Sequence, residues 1–174
     1  MKRIFVLTII GPDHPGIVQR LSHILSVNGA NWLQSHMANL AGEFAGILHA
    51  EVDHKHYDSM LTQLNELATE GLQVTIKDAH ETQPTPTSTH QLEVVGSDRE
   101  GIVRDISEVL ARHQINVEEL TTEFSEAPMS STPLFKATAR LSIREHIDTD
   151  VIQSDLEEIA HDLMIEIADI PNPG

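Results

Sequence analysis

Residues Gly11-Pro12-Asp13-His14-Pro15-Gly16-Ile17-Val18 read GPDHPGIV, and residues Gly96-Ser97-Asp98-Arg99-Glu100-Gly101-Ile102-Val103 read GSDREGIV. Each stretch follows a short apolar run and precedes apolar residues at helical spacing. The likeness extends outward at an offset of 85 residues, where Leu7 matches Leu92, Ser22 matches Ser107, Leu25 matches Leu110 and Asn31 matches Asn116. Repetition on this scale marks one supersecondary unit used twice.

In the first copy, Arg3 to Ile10 reads as a strand. Ile17, Val18, Leu21, Ile24 and Leu25 then form one helical stripe, and Gly29 is a plausible stop. Trp32–Leu40 and Phe44–Val52 read as a hairpin around Ala41-Gly42-Glu43. A second helical stripe runs from Tyr57 to Ala68 and ends at Gly71, after which Leu72, Val74 and Ile76 alternate with polar residues. The second copy repeats this order, with Asp148 as a cap for its second helix and a longer hairpin loop from Ser125 to Pro133. Strand, helix, strand, strand, helix, strand is the ferredoxin-like βαββαβ sandwich, so the expected class is α+β. Each copy should be a four-stranded antiparallel sheet with both helices on one face. The predicted layout is a first domain at 1–80, a Pro/Thr-rich linker at 81–89 and a second domain at 90–170. Each sheet leaves a bare face and edges that invite cover, so the halves are expected to associate, and a homodimer would extend the same solution.

The chain of 174 residues carries 27 Asp and Glu against 11 Lys and Arg, a formal charge of −16. Gripping phosphates takes clustered cations, so direct contact with nucleic acid or with an anionic membrane is not expected. With no cysteine there is no disulfide, thiolate metal site or cysteine nucleophile, which suits a cytoplasmic protein. The apolar run Ile4–Ile10 is too short for a membrane span and lacks a signal-peptide cleavage pattern after it.

Three readings compete for the repeated turn. The glycines have phosphate-loop spacing, but Ile-Val follows where Lys and Ser or Thr would be needed, so a nucleotide loop fails in both copies. A structural turn explains most of the letters. Asp13 and Asp98 suit a helix start, Pro15 a first turn, and Gly11 and Gly96 an unusual backbone angle at the strand exit. The third reading adds a guest. A helix N-terminus offers unpaired N–H groups and partial positive charge, a natural seat for a carboxylate. Gly16 and Gly101 would let that guest approach the backbone, Asn31 and Asn116 offer a donor and an acceptor, and Asp13 or Asp98 could face an ammonium. Together these match the two ends of a free amino acid.

The stretch DHPGIV, opening a helix after a strand, resembles the signature of ACT domains, and the duplicated layout covers nearly the whole chain. Two such domains with no enzyme attached resemble the glycine cleavage system transcriptional repressor family. In ACT domains amino acids typically bind between the strand-to-helix loop of one domain and the start of the second strand of a neighbour. The resemblance therefore implies ligand binding at Asp13, Gly16 and Asn31, and at Asp98, Gly101 and Asn116. The second copy departs from the pattern, because Glu100 replaces Pro15 and would repel a carboxylate. The implied function is a non-catalytic, amino-acid-responsive repressor with glycine as the suspected ligand. The negative charge then requires action through a protein partner, with a DNA-bound activator as the expected one. The alternative is a regulatory subunit of a metabolic enzyme.

Neither a cofactor nor a metal is expected. The densest histidine run, His49 to Asp58, could place His54 and His56 on one side if extended, but a solvated turn between strand and helix is the simpler reading. No G-x-S-x-G elbow supports a hydrolase, and Glu118-Glu119 and Glu157-Glu158 read as solvated faces.

Overall fold

The computed structural model describes residues 1–79, 87–126, 133–144 and 146–170. The chain divides into two units, Met1–Thr82 and Gln83–Gly174. The first contains β1 (Lys2–Pro12), α1 (Ile17–Val27), β2 (Asn31–Leu40), β3 (Glu43–Asp53), α2 (His54–Glu66) and β4 (Gln73–Asp78), with a short 3₁₀ turn at Leu67–Glu70. The second contains β5 (Thr87–Ser97), α3 (Ile102–Arg112), β6 (Asn116–Glu126), β7 (Pro133–Arg144), α4 (Thr149–Ile159) and β8 (Leu163–Asp169). The sheets have the orders β2-β3-β1-β4 and β6-β7-β5-β8, and every pairing is antiparallel. This is the expected α+β fold of two ferredoxin-like units.

Alternation along the strands builds each core. In the first unit Phe5, Leu7 and Ile9 of β1 and Leu48, Ala50 and Val52 of β3 are buried together with Leu21, Leu25, Met60 and Leu64 from the helices. In the second, Leu92, Val94, Leu141 and Ile143 join Val109, Leu110, Ile152 and Leu156. The opposite sheet faces differ. That of the first unit is rich in apolar groups, among them exposed Ile10 and Ile47, whereas that of the second carries Glu93, Lys136, Arg140 and Glu166.

Local chemistry sets the joints. β2 and β3 are joined by a two-residue turn in which Ala41 and Gly42 both have positive φ, 53° and 85°, as a tight hairpin requires. Asp53 caps α2 by accepting from the Lys55 N–H, and Asp148 caps α4 by accepting from that of Asp150. The first of these makes His54 and His56 members of a helix's first turn. Two residues apart on a helix, they do not face each other, so the extended geometry that a metal pair would need is not formed. Among the described residues no group of three or more His, Asp or Glu is placed to hold a metal ion.

Two boundaries differ from the sequence reading. β5 begins at Thr87, inside the stretch taken as linker, because Thr87, Ser88 and Thr89 pair with Arg144, Ile143 and Ser142. Residues 81–86 of that stretch lie outside the described residues. The second hairpin's strands also run further into the loop, with Ser125 opposite Leu134 and Glu126 opposite Pro133. Loop residues 127–132 are outside the described residues.

Candidate functional site

The repeated letters fold into the same backbone twice. Gly16 and Gly101 stand at the N-caps of α1 and α3 with φ of 100° and 88°, and no side chain caps either helix. A side chain would strain that left-handed conformation. Gly11 and Gly96 are glycine for another reason. A Cβ on Gly11 would lie 2.6 Å from the Gly71 carbonyl oxygen, and one on Gly96 would lie 2.9 Å from that of Asp162. The unusual backbone angle expected at Gly11 and Gly96 belongs instead to the helix caps Gly16 and Gly101, and what requires glycine at the strand exits is the close approach of a neighbouring carbonyl.

Asp13 and Asp98 do not cap the helices, which start later, after Gly16 and Gly101. Their backbone N–H groups donate to the carbonyls of Gly42 and Pro133, binding each turn to a neighbouring hairpin. The Asp13 carboxylate accepts from the Asn39 side chain at the far end of β2. Asn31 opens β2 and sits opposite Glu51, while Asn116 opens β6 opposite Ser142. Both strands bulge at once afterwards, between Trp32 and Gln34 and between Val117 and Glu119. Bulges of this kind re-aim side chains near functional sites.

Within one unit the turn and the asparagine are not brought together. α1 separates Gly16 from Asn31 and spans 11 residues, about 16 Å of helix. α3 separates Gly101 from Asn116 over the same span.

The two turns part company in their charges. At Gly16 the nearest atom to an added Cβ would be Gln19 Oε1 at 3.9 Å, so the backbone is open. The first turn of α1 has no acid, and its fourth residue is Arg20, whose Nε pairs with Glu70 Oε1 at 3.2 Å. At Gly101 the Arg104 guanidinium comes within 2.9 Å of the same point. The residue matching Arg20 is Asp105, which accepts from Arg104 at 2.8 Å and from Arg99 at 2.8 Å. Arg99 also reaches Asp162 at 3.1 Å. Hydrogen bonds from Arg99 and then Arg104 hold the Asp105 carboxyl below the usual aspartate range. Asp105 therefore already complements the positive end of α3, a place left without an acid in α1. Arg99, Arg104 and Asp105 lie beside the repeated letters, but their contacts could not be read from them. Arg104 and Asp105 follow Gly101 by three and four residues, which is the signal that places them over the turn.

Comparison with known proteins gives a consistent picture. Residues 3–77 match the ACT domain family model. A solved protein of unassigned function from Galdieria sulphuraria is 29% identical, with a TM-score of 0.87 over 98% of this chain and 100% of that one. A candidate glycine cleavage system transcriptional repressor of known structure is 18% identical, with a TM-score of 0.70 over 99% of both chains. No curated protein matches the chain. The ACT match thus spans the first unit, and the second unit repeats the strand order of the first.

Proposed function

We propose that this protein is a non-catalytic regulator that responds to a free amino acid held at the turn of its first unit. The observation carrying this reading is the N-terminus of α1. It is uncapped by any side chain, has no acid in its first turn, and is entered through a glycine whose surface is open. Backbone N–H groups and the helix dipole there suit a carboxylate. Asn31 supplies the polar contact at the other part of the site. Because α1 separates the two, the site closes when a second copy of the chain brings its Asn31 to the Gly16 turn, in a two-fold dimer with two equal seats. In the second unit Asp105 takes the role of the anion, and Glu100 adds a second negative group near Gly101, so that turn serves structure rather than binding.

Glycine is the first ligand to test. The two-unit layout is shared with a candidate glycine cleavage repressor. The formal charge of −16 directs the regulator toward a protein partner, a DNA-bound activator, rather than DNA itself. Glycine would then act by binding the free and the partnered forms with different affinity.

Calorimetry and thermal shift with glycine, serine, alanine and leucine test the ligand. Saturable heat with glycine is expected, and no response to any amino acid would end the reading. Co-purification with and without glycine tests the partner. A metabolic enzyme recovered in place of a transcription factor would make the protein a regulatory subunit.

A further inference from the structure

A bound amino acid has two charged ends, and the α1 turn accounts for only one. We propose that Glu51 receives the ammonium group, which makes it the residue that selects amino acids over other small carboxylates. This rests on the reading that an amino acid binds at the Gly16 turn and Asn31.

Asp13 was the acid suggested by sequence, but its carboxylate is engaged by Asn39 at the hairpin end of β2. At the opposite end of β2, next to Asn31, the acid is Glu51. Register places it directly across from Asn31, and the Asn31 Nδ2 donates to Glu51 Oε1 at 3.4 Å. The Lys2 Nζ reaches the same oxygen. Lys2 carries a primary ammonium, the group an amino acid would present, so it marks a position where Glu51 already accepts such a cation. The two partners differ in mobility. The Lys2 side chain is 68% exposed and that of Glu51 only 18%, so the lysine can swing away while the carboxylate stays fixed by the strand. The Lys2 hydrogen bond, with a smaller contribution from Asn31, keeps the Glu51 carboxyl below the usual glutamate range, in its charged form. A charged acceptor for an ammonium is worth more than a neutral one. The second unit has Ser142 opposite Asn116 and so lacks this carboxylate.

Calorimetry on the full chain with glycine and with glycolate, which replaces the ammonium by a hydroxyl, tests the assignment. The wild type should favour glycine strongly. Glu51→Gln should weaken glycine about thirtyfold, the loss of one charge-assisted hydrogen bond, and leave glycolate nearly unchanged. Lys2→Met removes the competing ammonium and should tighten glycine severalfold. A thermal melt of each variant confirms folding, and Lys2→Met gives the answer should Glu51→Gln fail to fold. Full glycine affinity in Glu51→Gln, or unchanged or weaker binding in Lys2→Met, overturns the role of Glu51 while leaving the site in place. Absence of binding by the wild type to any amino acid overturns the site and Glu51 together.

Discussion

At the ends of β1 and β5 the chain makes one left-handed turn into a helix, using the same pair of glycines for the same two reasons. Around Gly16 that backbone is exposed, and the charged residue in the first helical turn is Arg20. Around Gly101 it lies under Arg104, and the charged residues are gathered into the Arg99–Asp105–Arg104–Asp162 group. A duplicated scaffold fixes backbone geometry in both copies, while a few side chains set the charge and the access around each helix end. In both units a salt bridge links the start of the first helix to the segment before the last strand. In the first unit the helix supplies the cation, Arg20 to Glu70, and in the second it supplies the anion, Asp105 through Arg99 to Asp162.

The shared backbone is tested most severely at the strand exits. Gly11→Ala would press a methyl onto the Gly71 carbonyl and should cost about 2–3 kcal/mol, the range for overpacking a tight site. Gly96→Ala should cost somewhat less, because its backbone clash is the looser, 2.9 Å to the Asp162 carbonyl against 2.6 Å to that of Gly71. Urea midpoints check both, and a neutral Gly11→Ala would break the equivalence. Next come the helix caps. Gly16→Ala and Gly101→Ala should each lose about 1–2 kcal/mol through left-handed strain, with Gly101→Ala the worse because Arg104 must also move. A smaller loss at Gly101 would mean that Arg104 does not rest on the turn.

Acid should separate the charge groups. The Asp105 carboxyl is depressed in the folded chain by Arg99 and Arg104. Its stabilising contribution is complete above the unfolded aspartate value, about pH 4, and fades as pH falls through the lower folded value. Asp105→Asn should flatten that decline in melts taken between neutral and acid pH. An identical acid profile in the variant would remove Asp105 from the account. The smallest effect is expected at Gln114, which matches Gly29 and holds φ at 56° after α3. Gln114→Gly relieves that strain and should add about 0.5 kcal/mol, offset in part by loss of the Arg144 contact. No gain in melting temperature would show that the position is relaxed.

Much of this architecture was legible because apolar period and turn letters act locally. Leu7 and Ile9 alternate into the core, Leu21 and Leu25 share a helix face, and Ala41-Gly42 meets the hairpin's need for positive φ. The threonines at Thr87 and Thr89 misled, because polar β-branched residues suit both linkers and half-buried strands, and pairing with β7 decides between them. The reason for Gly11 and Gly96 was misassigned because sequence shows that a side chain is missing but not whether strain or crowding requires it. The site was least legible where partners lie far apart in the chain. Arg99 meets Asp162 across 63 residues, and Glu51 faces Asn31 only through strand register. Asp13 is tied to Asn39 across 26 residues, which redirects an acid that its own neighbourhood placed at the helix.

The central claim is that the α1 turn holds an amino-acid carboxylate and the α3 turn does not. Titrating isotope-labelled full-length protein with glycine, while following backbone amide resonances, addresses it directly. The account predicts saturable shifts in the amides of Gly16 to Arg20, with those of Gly101 to Asp105 unmoved. Equal shifts at both turns, or shifts at Gly101 to Asp105 alone, would contradict it.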